Sequence, residues 1–191
     1  MPDLFEVLRD VHGDVRLLLA ALENSPGHAA GASQAVLRAR KAAAGRLVTD
    51  ATRHAAAEGE HLWPAVRERL GDGNMLADEA LARDLAAGET LARLDKVESD
   101  DDEFDELLAE IIPAVRGNLE FEEVRVWPQL RQALSPFQAR ELGDQVRAAA
   151  ERAAARPQPG APARPKRRKA ADSAVAVAGK LTNAATRRRA G

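Results

Sequence analysis

One segment of the sequence occurs twice, and this repeat limits the folds open to the chain. Residues 54–70 read HAAAEGEHLWPAVRERL, and residues 118–134 read NLEFEEVRVWPQLRQAL. The positions shared at this offset of 64 are Glu58 and Glu122, Trp63 and Trp127, Pro64 and Pro128, Arg67 and Arg131, and Leu70 and Leu134. Both tryptophans of the protein therefore stand in the repeat. The repeat predicts two helices related by an internal pseudo-twofold axis, each with an inward Glu before a proline.

The first copy of the repeat adds a histidine to its glutamate. His54 precedes Glu58 by four residues, and side chains at this spacing leave a helix from the same face. A helix presents two metal ligands to a bundle core in this way.

The spacing of apolar residues predicts a helical domain. Apolar residues recur every three or four positions in helices at about 3–23, 33–70, 76–97 and 103–134, with a short fifth helix at about 136–152. On the third helix, Leu81, Leu85, Gly88, Leu91 and Leu94 are expected to point inward. Short loops between long amphipathic helices predict an all-α, up-down-up-down four-helix bundle. Pro64 and Pro128 are expected to kink or interrupt their helices.

The formal net charge of −2 hides a division of the chain. Residues 156–191 carry ten Lys and Arg against one Asp, a charge of +9, whereas residues 1–155 carry 18 basic and 29 acidic groups, a charge of −11. Four prolines stand at the start of the basic segment. We predict a bundle over 1–155 and a disordered, Pro/Ala-rich basic tail over 156–191, which could contact nucleic acid or an anionic membrane surface.

The composition excludes several other classes of protein. The chain has no Cys, so disulfide frameworks and thiolate metal sites are ruled out. The N-terminus does not resemble a signal peptide, and no apolar run has the length of a membrane span. These features predict a soluble cytoplasmic protein.

Polar residues on the apolar stripes are the candidate ligands. His12, His54, Glu58 and Glu122 fall on the stripes of three helices at compatible heights. A bound cation explains all four residues at once, because it compensates the buried carboxylates. Without a cation, each polar residue on an apolar stripe needs its own explanation. The pseudo-twofold axis further pairs His12 with Asp78 and His54 with Asn118. His61, three residues after Glu58, is either a further ligand or a residue at the solvent edge, and His28 lies in a turn.

These residues together resemble the hemerythrin-like (HHE cation-binding) family over about residues 3–150. The resemblance rests on a His in helix 1 and a His-x3-Glu motif that precedes an aromatic-Pro pair. It implies a helical bundle around a non-haem di-iron centre, to which His12, His54, Glu58 and Glu122 match as ligands. The family's helix-3 His is replaced by Asp78, or by Glu79 if the register slips by one, and its helix-4 His by Asn118.

This ligand set is more anionic than the imidazole-rich centre of the family. Carboxylates suit Mn, Fe(III) and Mg, and imidazole suits Fe, Zn and Cu. The resemblance implies iron, as a di-iron site or as a mononuclear site with two His and one carboxylate. The first hypothesis is therefore an iron protein that binds O2, NO or peroxide, or that stores or senses iron, rather than an O2 carrier. The second is a degenerate, metal-free bundle that acts as a structural or interaction module. The third is an adaptor that binds nucleic acid or membrane surfaces through the tail. The sequence leaves open whether the protein is an enzyme.

Overall fold

Residues 2–155 are described by a computed structural model, and all their regular structure is helical. The α-helices are α1 Leu4–Asn24, α2 Gln34–Ala57, α3 Trp63–Arg69, α4 Gly73–Leu94, α5 Asp102–Phe121, α6 Trp127–Ala133 and α7 Pro136–Ala155. Two π-helical turns, Glu58–Leu62 and Glu122–Val126, continue α2 into α3 and α5 into α6. Four long helical rods and a fifth helix result, which confirms the predicted all-α bundle.

The predicted tail at 156–191 lies outside the described residues. Within residues 2–155, no helix combines the length and the apolar character that a membrane crossing requires.

The long rods form a ring in which sequence neighbours are also neighbours in space. Helix α1 packs against α2 and α5, and α4 packs against the same two helices. Helices α2 and α5 therefore lie on opposite sides of the ring. The rod α4 stands between them in the chain and runs antiparallel to both, so α2 and α5 run in the same direction. Matching residues of the repeat consequently meet at the same height of the core. Helix α7 covers one side of the bundle, where it packs against α1 and α2.

Side-chain caps mark the beginning of α1, α5 and α7. Asp3 accepts a hydrogen bond from the backbone of Glu6, and the Glu6 carboxylate accepts one from the backbone of Asp3, both at 2.9 Å. Asp101 caps α5 through the backbone N–H of Glu103, and Ser135 caps α7. Each cap satisfies a backbone donor that the first helical turn leaves without a partner.

Glycine is needed at two close approaches between helices. A Cβ on Gly73 would lie 2.1 Å from the carbonyl oxygen of Val66, so the turn from α3 to α4 closes only without a side chain. A Cβ on Gly143 would lie 2.8 Å from the backbone nitrogen of Leu4. This second contact brings α7 directly onto the start of α1.

Each π-helical turn stands immediately before a Trp-Pro pair. The N–H of Trp63 bonds to the carbonyl of Glu58, and that of Trp127 bonds to the carbonyl of Glu122, both five residues earlier. The proline that follows cannot donate to an α-helical partner, and its ring crowds the carbonyl four residues before it. The wider turn relieves that crowding. The predicted interruption at each proline is thus a π-helical turn, a feature that is often found at functional sites.

The inward face of α4 differs in part from the expected one. Leu91 and Leu94 are buried as predicted, at 5% and 0% exposure. Leu81 and Leu85 are 40% and 69% exposed, and Gly88 is exposed as well. The residues buried instead are Ala77, Ala80 and Ala87, so the inward stripe is rotated towards these alanines.

This rotation changes the pairing between α1 and α4. The buried apolar residues of α1 and α4 match at an offset of 72: Leu4 with Leu76, Phe5 with Ala77, Leu8 with Ala80, Val15 with Ala87, Leu19 with Leu91, and Leu22 with Leu94. His12 therefore pairs with Asp84, and the expected pairing of His12 with Asp78 is wrong.

The apolar core consists of two separate clusters. One surrounds Trp63 and Trp127 and includes the residues contributed by α7. The other fills the opposite end of the bundle around Leu47, Phe104 and Ile111. The polar residues of the candidate centre lie between the two, and buried polar groups at the middle of a bundle require a partner.

Candidate metal centre

Four side chains from three helical rods converge at the middle of the bundle. His12, His54, Glu58 and Glu122 each place one nitrogen or oxygen atom within 4.8 Å of the others. His12, Glu58 and Glu122 are buried, and the side chain of His54 is 10% exposed. Within residues 2–155 this is the one such group of His, Asp and Glu residues that could hold a metal ion. The convergence brings together the four residues selected from the sequence.

A carboxylate outside the cluster orients His12. The Nδ1 atom of His12 lies 2.7 Å from Oε1 of Glu123, and Arg16 donates two hydrogen bonds to the same carboxylate, at 2.8 and 2.9 Å. An ionised carboxylate can only accept, so Nδ1 carries the hydrogen of this bond, and Nε2 is the ring atom that faces the centre. Metal-binding histidines are commonly held by a carboxylate in this way. Sequence analysis missed Glu123.

The two imidazoles face each other across the centre. Nε2 of His12 lies 3.2 Å from Nε2 of His54 and 3.3 Å from Oε2 of Glu122. Burial lowers the pKa of His54 to about 4, because the charged ring is poorly solvated there; His12 adds to this effect and Glu122 opposes it. His54 is therefore neutral at neutral pH, which is the form that binds metals.

The two buried glutamates lack sufficient hydrogen-bond partners. Both carboxylate oxygens of Glu58 and Oε2 of Glu122 are buried without an aligned hydrogen bond. Burial and the charge of Glu122 raise the pKa of Glu58. Burial acts in the same direction on Glu122, but its hydrogen bond with His12 and the favourable interaction of its ionised form with the His54 and His12 rings bring its pKa below the ordinary value. A cation between these oxygens would compensate them, so the residues present fit a bound metal.

Asp84 and Asn118 form the other side of the centre. The Nδ2 atom of Asn118 donates to Oδ1 of Asp84 at 3.3 Å, and Oδ2 of Asp84 is buried without a partner. Burial and the charge of Glu122 raise the pKa of Asp84 to about 6, and the hydrogen bond from Asn118 opposes this rise. Asp84 was missed in the sequence. Its spacing from Ala77, Ala80, Ala87 and Leu91 was the signal that could have found it.

A cavity of about 180 Å³ adjoins the cluster on the side of Asp84. Besides His54, Asp84, Asn118 and Glu122, its lining includes the small or apolar residues Val15, Ala51, Ala55, Ala87, Gly88, Leu91, Val115 and Leu119. The alanines and Gly88 leave space beside the donor atoms, and a Cβ on Gly88 would meet no atom within 4 Å. The cavity can hold a small ligand next to the centre.

Four other residues considered in the sequence lie away from this cluster. The side chain of Asp78 is 72% exposed and pairs with Arg67, because the inward stripe of α4 is rotated towards its alanines. Glu79 pairs with Arg83 at the surface. His61 lies beside Glu60, at 3.3 Å, in a surface groove under α7. His28 is exposed in the turn after α1.

Comparisons with known proteins agree with this fold. A crystal structure of a hemerythrin HHE cation binding domain-containing protein from Mycobacterium kansasii is similar, with a TM-score of 0.66 and 18% identity over 80% of this chain and 88% of that chain. At this identity the similarity establishes the fold. A search of curated proteins gave no significant match. Residues 3–136 match the family model of the hemerythrin HHE cation binding domain. The chain therefore belongs to the hemerythrin HHE cation binding domain family.

Proposed function

We propose that the protein binds iron at this centre and uses it for redox chemistry with O2, NO or peroxide, or for iron sensing, rather than for O2 transport. The observation that carries the proposal is the convergence of two imidazoles and two carboxylates within 4.8 Å, between two apolar clusters. Family membership supports a cation as the bound species. The cytoplasmic location stays a prediction.

The proposed ligands are His12, His54, Glu58 and Glu122. Iron would supply one-electron redox changes and a coordination position for a small ligand. Two imidazoles with one carboxylate are the donor set of mononuclear iron(II) sites, and imidazole with carboxylate suits iron in general. Asp84 and Glu122 offer further oxygen donors towards the cavity. The arrangement thus supports either one iron or two, as the sequence already indicated.

Each residue around the ligands has a role that follows from its position. Glu123 and Arg16 hold His12 so that Nε2 faces the centre. The apolar part of the cavity lining favours a small, weakly polar ligand such as O2 or NO beside the donor atoms. Asp84, with its raised pKa, can hold or release a proton near pH 6 beside that ligand. We leave Asp78, Glu79 and His61 out of the proposed ligand set, and keep Asn118 as the partner of Asp84.

A metal-free structural or interaction module is the second candidate function. Asp84 and Asn118 favour it. They occupy the positions equivalent to His12 and His54, and they place a carboxylate and a neutral amide where the other half has imidazoles. The hydrogen bond from Asn118 to Asp84 provides one carboxylate oxygen of Asp84 with a partner in the absence of a cation.

Metal analysis of the full-length protein, purified from iron-replete cells, separates the two candidates. We expect one or two irons per chain and a near-ultraviolet absorption band that disappears after reduction and chelation. Iron at 100 times its dissociation constant should add about 2.7 kcal/mol to the free energy of unfolding, which corresponds to a rise in Tm of roughly 5–10 °C. A protein that contains no metal, and whose Tm is unchanged by added iron(II), would support the metal-free module.

A further inference from the structure

The two tryptophans are the side chains of this protein that give up an electron most readily. The sequence has no Tyr and no Cys, and two Met, of which Met75 is 57% exposed on α4. Trp63 and Trp127 occupy equivalent places in the two halves of the bundle, each between a π-helical turn and a proline. Both are buried, at 1% and 7% exposure.

The two tryptophans nevertheless differ in their contacts with the centre. The ring of Trp127 stacks on the ring of His12, with centroids 4.9 Å apart and planes inclined by 34°. His12 in turn presents Nε2 to His54 and Glu122. Among the described residues, Trp63 makes no ring–ring contact of this kind, and the α4 residue equivalent to His12 is Asp84, which has no ring. An indole in van der Waals contact with a proposed iron ligand is thus present in one half only.

Aromatic contacts continue from Trp127 towards the surface. The ring of Phe5 meets Trp127 edge-on at 6.2 Å, and the guanidinium of Arg131 lies 4.1 Å above the Phe5 ring. The side chain of Arg131 is 51% exposed. Trp127 therefore lies in a continuous line of contacts from His12 through Phe5 to Arg131 at the outside of the bundle.

We propose that Trp127 is a one-electron donor to the iron centre, through His12, when the centre reduces a peroxide. This inference rests on the proposed function. Two electrons and two protons convert hydrogen peroxide into two water molecules. One electron would come from iron(II) held at the centre. The other would come from Trp127, which would become an indole radical cation, because its Nε1 atom is buried without a hydrogen-bond partner that could take the proton. Both protons would come from solvent, and the radical cation would then be quenched by an external reductant or by addition of dissolved O2 to the indole.

Oxidation mapping on the full-length, iron(II)-loaded protein tests this proposal. Trypsin releases the two tryptophans in separate peptides, because Arg53 and Arg67 flank Trp63 whereas Arg125 and Arg131 flank Trp127. After one equivalent of hydrogen peroxide, we expect added oxygen on the Trp127 peptide to exceed that on the Trp63 peptide several-fold. Rapid freezing should trap an organic radical that Trp127→Phe abolishes and Trp63→Phe retains.

Zinc-loaded protein is the matched control. It keeps the slightly greater exposure of Trp127 but cannot supply an electron, so the preference for the Trp127 peptide should disappear. Equal oxidation of both peptides with iron, or an equal preference with zinc, would overturn the role of Trp127. The mapping needs no variant and decides the question even if Trp127→Phe folds poorly. A protein that takes up no iron overturns the proposed function as well, whereas an iron-loaded protein without Trp127 oxidation overturns this inference alone.

Discussion

Glu123 holds His12 by a hydrogen bond of 2.7 Å to Nδ1, from the helical rod that also supplies Glu122. Replacing such a supporting carboxylate typically weakens metal binding about 10–100-fold. We therefore expect Glu123→Gln to lower iron(II) affinity by that factor, because the amide cannot stabilise the metal-bound imidazole as a carboxylate does. Competition with a chelator of known affinity measures the change. Glu120→Gln, at an exposed position of the same rod, is the control and should bind as the unchanged protein does.

The ligand assignment itself predicts an all-or-none result. His54→Ala and Glu58→Ala should each abolish bound metal, since both side chains face the centre. His28→Ala should leave the metal content unchanged, because His28 is exposed in a turn. Elemental analysis of the three purified variants checks this. Equal metal content in all three would disprove the proposed site.

A third prediction concerns Asn118, which lines the cavity and bonds to Asp84. Asn118→His should raise metal affinity, because it replaces a weak neutral donor by an imidazole at the position equivalent to His54. Calorimetric titration with zinc or iron(II) measures affinity and stoichiometry together. If the variant binds neither more tightly nor more ions, the side chain at 118 does not reach the metal.

The raised pKa of Asp84 predicts a pH-dependent effect in the metal-free protein. Above pH 6 the folded protein buries an ionised Asp84, which costs stability. As the pH falls from about 6 to 3.8, the folded state takes up a proton before the unfolded state does, and the cost disappears. Asp84→Asn should therefore stabilise the metal-free fold at pH 7 by roughly 1–3 kcal/mol.

Chemical denaturation with a chelator present, at pH 7 and at pH 4, measures this difference. The stabilisation should vanish at the lower pH. Asp78→Asn provides the comparison, because Asp78 is exposed and its surface ion pair contributes less than about 1 kcal/mol. A gain for Asp84→Asn that is the same at both pH values would contradict the explanation.

A fifth prediction concerns the basic segment at 156–191. Removal of these residues should leave Tm and iron content unchanged, because residues 2–155 already contain both apolar clusters and the centre. Any binding of the full chain to DNA should depend steeply on salt, and with six to ten phosphate contacts the affinity should fall on the order of 10³–10⁵-fold between 50 and 200 mM salt. Fluorescence anisotropy with labelled DNA measures this. DNA binding that survives the truncation would place the interaction on the bundle.

The sequence predicted the bundle because the strongest signals were local. The apolar stripe of α1 and the Trp-Pro repeat each determine a helix or its interruption without knowledge of the neighbours. The same signals placed His12, His54, Glu58 and Glu122 on inward faces, where the structure has them. Their role as ligands stays a proposal.

Two features of the centre depend on information that one helix does not carry. The inward face of α4 depends on how this helix packs against α2 and α5. Because the inward residues were chosen from the sequence by hydrophobicity, Leu85 was taken as inward instead of its neighbour Asp84. Glu123 follows Glu122 by one residue and points towards α1. Nothing in the sequence indicates that His12 stands there, because that contact depends on the packing of two rods more than a hundred residues apart.

The π-helical turns at Glu58–Leu62 and Glu122–Val126 also set the direction in which the two tryptophans leave their helices. A π-helical turn accommodates one residue more than an α-helix would, and each residue of an α-helix turns by about 100°. Without the extra residue, Trp63 and Trp127 would rotate away from the core. Both halves have it at the same place. Deletion of a single residue within either turn would therefore misplace every side chain that follows it on the rod and remove one tryptophan from the apolar cluster.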